Sequence, residues 1–260
     1  MILPPTTKAK FDKLKLNIVA SALELLGKQR LKDVETALDV IVPILEQQIS
    51  HNDSLTHKRE RSASKMRWLD ATFAKSKRLC KHIQSHVFEF IQSGDWIKKG
   101  KHVMISGRSS KGKTHLACAI GNNSILLGYR VRFFGYRELL IMLRAADNEG
   151  KLEQLIKKLL RIDLIIIDDW TADKLSRQEQ AVLFELVEKR EKRGSFVITT
   201  QFDVDLLHES VGGDTIADAI LSRIVTMAYR LELNHDIDFR ESEMEIPEGM
   251  ASASEDGGAA

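Results

Sequence analysis

Cysteine, proline and aromatic residues are all scarce in this 260-residue chain, with two Cys, four Pro and 6% Phe, Trp and Tyr. Cys80 and Cys118 stand apart, with no CxxC pair and no Cys/His spacing. That rules against a disulfide framework or a zinc site and leaves both as reduced packing residues. No apolar run approaches the roughly 20 residues of a membrane span, and the opening MILPPTTKAKFDK lacks the apolar stretch and cleavage site of a signal peptide. A cytoplasmic protein without a membrane partner is therefore expected. The remainder, 43% hydrophobic and 29% charged, is an ordinary globular composition. It is enough for one large domain, or for one domain with a smaller helical companion.

Net charge is only +2, but the charge is unevenly spread. Between Thr56 and His82 nine basic residues face two acids, Glu60 and Asp70. From Glu232 to Ala260 nine acids face Arg240 alone. A basic cluster of this density attracts polyanions, of which nucleic-acid phosphate is the commonest. Lys58, Arg59, Arg61, Lys65 and Arg67 are the candidate DNA contacts, with Lys174 and Arg177 as the alternative surface.

The chain changes texture twice. Leu16, Val19, Ala20, Leu23 and Leu26, then Val34, Leu38, Ile41 and Leu45, follow the three-and-four spacing of helix faces. Gly27 sits where the first helix should end, and Pro43 should kink or restart the second. Residues 54 to 67 continue as a basic helix, and another helix is expected around Val87 to Gln92. From Lys101 short apolar runs alternate with helical patterns, the sign of a parallel sheet covered by crossover helices. The expected strands are His102 to Ser106, Arg130 to Phe134, Leu164 to Ile167, Phe196 to Thr200 and Ala228 to Leu233. The fold class is therefore α/β, with a small all-α domain ahead of it. The expected divisions are 1–67 helical, 68–235 α/β, and 236–260 an acidic tail of disordered composition.

The chemistry is concentrated in Gly107-Arg108-Ser109-Ser110-Lys111-Gly112-Lys113-Thr114, which fits GxxxxGK[ST] between the strand VMIS and the helical stretch HLACAIG. Glycines let the backbone wrap phosphates, and the loop N–H groups and helix start supply positive potential. Lys113 can reach the β- and γ-phosphates and Thr114 can ligate Mg²⁺. Gly107 through His115 form the candidate nucleotide-binding set, and ATP and Mg²⁺ are the expected cofactors.

About fifty residues later Leu164-Ile-Ile-Ile167-Asp168-Asp169 reads as a buried strand ending in two carboxylates, a Walker B pattern. Asp168 is the metal candidate and Asp169 the one to polarise the attacking water. The strand FVITT then delivers Gln201, an amide placed to sense γ-phosphate or water. Arg223 lies in a helix whose expected buried stripe is Ile216, Ala219, Ile220 and Ile224, which puts Arg223 off that stripe and free to reach a neighbouring subunit's nucleotide.

From about Leu14 to Arg240 the chain resembles IstB-like ATPases, the AAA+ transposition helpers of bacterial insertion sequences. The resemblance rests on GRSSKGKTHLACAIG, GYRVRFFGYRELL, LEQLIKKLLRIDLIIIDDW, AVLFELVEKREKRGSFVITTQF and GDTIADAILSRI, in that order. It implies a P-loop NTPase of the AAA+ type behind an N-terminal helical domain. It also implies ATP-dependent assembly into a homo-oligomeric ring or spiral on double-stranded DNA, and delivery of that DNA to a partner transposase. It makes Gln201 a sensor candidate and Arg223 an arginine-finger candidate. Three positions depart from the family pattern. Arg108 to Lys111 replace a proline- and glycine-rich stretch, Asp169 stands where Glu is usual, and Gln201 stands where Asn is usual. The shorter Asp169 implies slow hydrolysis, since water positioning is sensitive to displacements of about 1 Å. Helicase loaders of the same AAA+ branch share these blocks, and a non-hydrolysing, ATP-stabilised DNA-binding scaffold is the third reading. A small-molecule P-loop kinase is disfavoured, because no arginine-rich lid is present and the basic run would go unexplained.

Overall fold

A computed structural model describes residues 8–9, 11–12, 15–26, 37–79, 83 and 85–233. Gly27, Val34, Cys80 and the acidic tail from Asp236 lie outside the described residues. Two compact units are present, Met1–Arg59 and Glu60–Ala260. This division falls earlier than the expected boundary at 67, and the reason is packing. Glu60 accepts the Val131 N–H at 3.1 Å and pairs with Arg132, while Met66 enters the hydrophobic core of the second unit.

The first unit contains α1 (Asn17–Leu26) and most of α2 (Ala37–Ser64), within which the division falls. Pro43 lies inside α2, which continues through it, so of the two expected effects, a kink or a restart, the helix does not restart there. Leu45, expected on the buried face, is 42% exposed, and Ile44 and Gln48 are buried in its place. The physical reason is a cap. The Gln48 side-chain oxygen accepts the Ile18 N–H at 3.0 Å, satisfying a first-turn donor of α1 that has no intrahelical partner, and this turns the neighbouring α2 face inward.

The second unit begins with the last turn of α2, followed by α3 (Phe73–Leu79), α4 (Ser85–Ser93) and the single turn α5 (Asp95–Lys98). Strands β1 (His102–Ser106), β2 (Val131–Gly135), β3 (Leu164–Trp170), β4 (Ser195–Thr200) and β5 (Ala228–Glu232) form one parallel sheet in the order β2-β3-β4-β1-β5. Between them run α6 (Lys113–Leu126), α7 (Tyr136–Asn148), α8 (Leu152–Leu159), α9 (Arg177–Arg190), α10 (Val204–Val211) and α11 (Thr215–Val225).

The near-continuous apolar runs of the strands feed two cores, because successive side chains leave a strand on opposite faces. Ile165, Ile167, Phe196 and Ile198 pack with α7 to α11, whereas Leu164, Ile166, Val197 and Ile105 pack with α4, α5 and α6. Helix α6 is buried almost all round, since α3 covers the side that the sheet does not. Cys118 lies within it, its thiol pushed up to about 11 by burial, which suits a packing residue. The buried stripe of α11 is Ala217, Ile220, Leu221, Ile224 and Val225. Ile216 and Ala219 sit at its half-buried margin, one position away from the expectation.

Candidate functional site

The parallel sheet places the ends of β1, β3 and β4 side by side, and the loop after β1 turns directly into α6. Gly107 opens that loop at φ 145°, where an added Cβ would meet the Leu233 carbonyl oxygen at 2.7 Å. Gly112 closes it at φ 82° in the left-handed region and starts α6 without a side-chain cap. First-turn N–H groups of α6 thus face the loop with no capping acceptor, the arrangement that favours an anion. Ser110 also takes a left-handed backbone, φ 58°.

Lys113 is 8% exposed and its Nζ donates to the carbonyls of Gly107 and Arg108, both at 2.8 Å. Burial holds its ammonium below the usual lysine range, against the pull of Asp169 and Asp168 in the other direction. Thr114 Oγ1 donates to Asp168 across 54 positions of sequence, at 2.9 Å to Oδ1 and 3.2 Å to Oδ2. Thr199 on β4 donates to the same Oδ1 at 2.6 Å and accepts the Asp169 N–H at 2.8 Å. The β3–β4 register breaks between Ile167 and Trp170, and Asp169 sits in that bulge at φ 58° with its side chain exposed. Bulges re-aim side chains at sheet ends, and Asp tolerates the left-handed region better than most residues.

These groups line a cleft of ≈ 360 Å³ that also includes Ser109, Lys111, His115, Gln201, Arg67 and Trp68. Gln201 follows β4 in a turn fixed by Thr200, whose Oγ1 donates to Trp170 O and accepts the Phe202 N–H, both at 3.1 Å. His115 is buried, with Nδ1 3.0 Å from Ser76 Oγ, and burial lowers its pKa. Arg223 is not among the lining residues of its own chain's cleft. Its guanidinium lies over the Phe184 ring and reaches Glu191 at 3.2 Å and Glu188 at 3.7 Å. Lys58, Arg59, Arg61, Lys65 and Arg67 are all exposed. Lys65 and Arg67 line a second hollow of ≈ 460 Å³ beside Asp168 and Asp169.

Thr199, which lines the cleft, and Asn122, whose Nδ2 donates to the Trp68, Leu69 and Ala71 carbonyls and so holds the segment carrying Arg67 and Trp68, were not legible in the sequence. The signal for Asn122 was a polar pair, Asn122-Asn123, interrupting an otherwise apolar helix. For Thr199 it was a hydroxyl where VIT alternates toward a strand end.

A family model described as IstB-like ATP binding protein matches residues 9–243. The chain belongs to that family. Among relatives of this IstB-like protein, one from Sinorhizobium fredii, named as an insertion sequence ATP-binding protein, is 36% identical over 148 residues. That match covers 57% of this chain and 60% of the relative, so the chain spans well under two thirds of the relative's length. A Pseudomonas fluorescens insertion-sequence ATP-binding protein is 26% identical over 159 residues, covering 61% of this chain and 69% of the relative. The crystal structure of DnaI superposes with a TM-score of 0.50 at 19% identity, over 64% of this chain and 92% of that one. At that identity the likeness concerns the fold, an AAA+ P-loop architecture, as the strand order and the loop of the IstB-like chain already indicate.

Among the described residues no cluster of three or more His, Cys, Asp or Glu could hold a metal by protein ligands alone. Mg²⁺ needs no such cage, since it is bound through one or two protein oxygens together with substrate phosphates. The Thr114 hydroxyl and the Asp168 carboxylate, in contact on the cleft wall, are hard oxygen donors of the kind it takes. No described helix is long and apolar enough to cross a membrane.

Proposed function

We propose that this IstB-like protein is an ATPase that assembles on double-stranded DNA and presents that DNA to a partner transposase, with hydrolysis controlling assembly. The observation that carries the reading is the hydrogen-bonded set Thr114–Asp168–Thr199 on the P-loop cleft of an IstB-like chain. The insertion-sequence names of its relatives support the transposase as partner.

On nucleotide binding, Lys113 exchanges its two loop carbonyls for phosphate oxygens. The start of α6 and the loop N–H groups hold the remaining phosphate charge. Mg²⁺, when bound by Thr114 and Asp168, supplies charge neutralisation at the β- and γ-phosphates. Asp169, carried outward by the bulge, orients the attacking water, and Gln201 reaches the γ-phosphate from the end of β4. Arg223 serves the neighbouring subunit's nucleotide, and to do so it leaves Glu188 and Glu191. Lys58, Arg59, Arg61 and Lys65 contact DNA phosphates, a mode that gives affinity with little base preference.

Light scattering of the protein with MgATP, with and without long duplex DNA, tests this reading, with Lys113→Ala as control. Growth into a large discrete assembly only with ATP and duplex, and not in the variant, is the expected result. A protein that stays small on duplex and assembles only on single strands or with a helicase would be a loader instead. Assembly without any turnover would make it a non-hydrolysing scaffold.

A further inference from the structure

Of the basic residues Lys58, Arg59, Arg61, Lys65 and Arg67, Arg67 is the one that also lines the P-loop cleft. Among the described residues, Arg67, Asp168 and Asp169 alone line both the P-loop cleft and the adjoining hollow, so Arg67 stands at the divide beside the two carboxylates. Its position is held from the backbone. Lys65 turns off the end of α2 at φ 55°, and Met66 inserts against Gly121, where an added Cβ would meet Met66 Sδ at 2.5 Å. Asn122 Nδ2 donates to the carbonyls of Trp68 (3.2 Å), Leu69 (3.1 Å) and Ala71 (2.9 Å), and the Trp68 ring meets His115 edge-on at 6.3 Å. Residues 66–71 are thus fastened to α6, the helix that begins at the phosphate loop.

Charge then says what Arg67 is for. Among the described residues Arg67 is exposed and its guanidinium makes no ion pair and no side-chain hydrogen bond. The cleft wall sets Asp168 and Asp169 against Lys113, with Lys111 on the loop. A divalent cation offsets the two carboxylates and leaves the lysines and the helix start to meet a triphosphate. An exposed arginine at that rim supplies charge and a planar fork of donors suited to phosphate oxygens.

We propose that Arg67 is a same-chain arginine of the nucleotide site, directed at the terminal phosphate beside Asp168 and Asp169, and that it discriminates ATP from ADP. The inference rests on reading the cleft as the ATP site. It differs from the role given to Arg223, which acts between subunits. A single subunit would register the γ-phosphate through Arg67 before any neighbour arrives.

The test measures binding of a fluorescent non-hydrolysable ATP analogue and of fluorescent ADP to the full chain at fixed Mg²⁺, together with duplex DNA affinity across salt. Arg67→Ala should weaken the ATP analogue by roughly 10-fold or more, the scale of a charged hydrogen bond, and ADP by about 2-fold or less. Arg67→Lys should recover part of the loss, and the salt slope of DNA binding should stay at the wild-type value. Equal losses for both nucleotides, or unchanged nucleotide binding with weakened DNA binding, would overturn the proposal, the latter returning Arg67 to the DNA surface. Lys113→Ala separates the two levels of argument. If it leaves nucleotide binding intact, the cleft is not the ATP site and both readings fall together. If it abolishes binding while Arg67→Ala does not discriminate, only Arg67's role fails.

Discussion

Thr199 and Asp168, on neighbouring strands β4 and β3, are joined by a 2.6 Å hydrogen bond, and the same hydroxyl accepts the Asp169 N–H. One side chain therefore orients the carboxylate proposed to hold Mg²⁺ and pins the bulge that aims the next one. Thr199→Val keeps the shape but leaves Asp168 with one donor fewer and a backbone N–H unpaired. Unfolding stability should fall by about 1–3 kcal/mol, and the Mg²⁺ concentration for half-maximal ATP binding should rise, with Thr199→Ser restoring both. A melting-temperature loss without any Mg²⁺ shift would reduce Thr199 to a packing residue.

Asp169 carries its carboxylate on a left-handed backbone. Asn tolerates that conformation as Asp does, so Asp169→Asn should fold normally and still assemble with ATP on duplex DNA. Its turnover should drop by about 100-fold or more, as expected when a general base is lost. Steady-state phosphate release checks this, and an unchanged rate would remove Asp169 from the water-activating role.

Arg223 is held by Glu191 and Glu188 on the surface of its own chain, and exposed pairs of this kind contribute about 1 kcal/mol or less. Arg223→Ala should melt near wild type yet lose turnover. Mixing it with Lys113→Ala should restore part of the activity, because one variant offers an intact cleft and the other an intact arginine. Failure of the mixture to exceed the separate proteins would count against action in trans.

His102 is buried at the start of β1, where its Nδ1 accepts the Phe196 N–H at 3.1 Å. Burial first, then the Arg190 charge, lowers its pKa from 6.5 to about 4. The unfolded chain therefore binds this proton more readily, so His102 contributes stability above its unfolded pKa. That contribution is lost as pH falls from about 6.5 to 4 and amounts to about 3 kcal/mol. His115, also lowered by burial, acts with the same sign. His102→Asn, which keeps an acceptor but no titration, should flatten the stability–pH curve in that window relative to wild type. Parallel curves from urea melts would disprove the assignment.

Lys58 and Arg59 lie exposed on α2. Replacing both with Ala should weaken duplex binding and reduce its logarithmic salt slope by about two, one per lost phosphate contact. An unaltered slope would move the DNA surface, with Lys174 and Arg177 as the next residues to change. Arg177 is already paired with Asp214.

The phosphate loop, the Walker B strand and all five strands were legible because each is a contiguous pattern whose meaning is local. The observed strands differ from those expected by one residue at some ends, and β3 runs three residues further, through its bulge to Trp170. What local patterns do not carry is register. Thr199 meets Asp168 only because β4 lies between β1 and β3, an order that no spacing reveals. Arg67 read as one charge in a basic run because its anchorage, Asn122 gripping three carbonyls, lies more than fifty positions away. The inward face of α2 was misplaced by one residue, since the capping demand of another helix selected Gln48.

The fastening of Glu60–Ala71 to β2 and α6 bears on how such a module can be moved between proteins. A recombination junction placed just before Phe73 would strip Met66 and Ala71 from the core and bare the flank of α6 at Gly121. Exchanges that keep the second unit intact must cross over ahead of Glu60. Different front ends could then be grafted onto one unchanged second unit by breaking α2 just ahead of its last turn, so change in the first unit and preservation of the phosphate loop would be separable events.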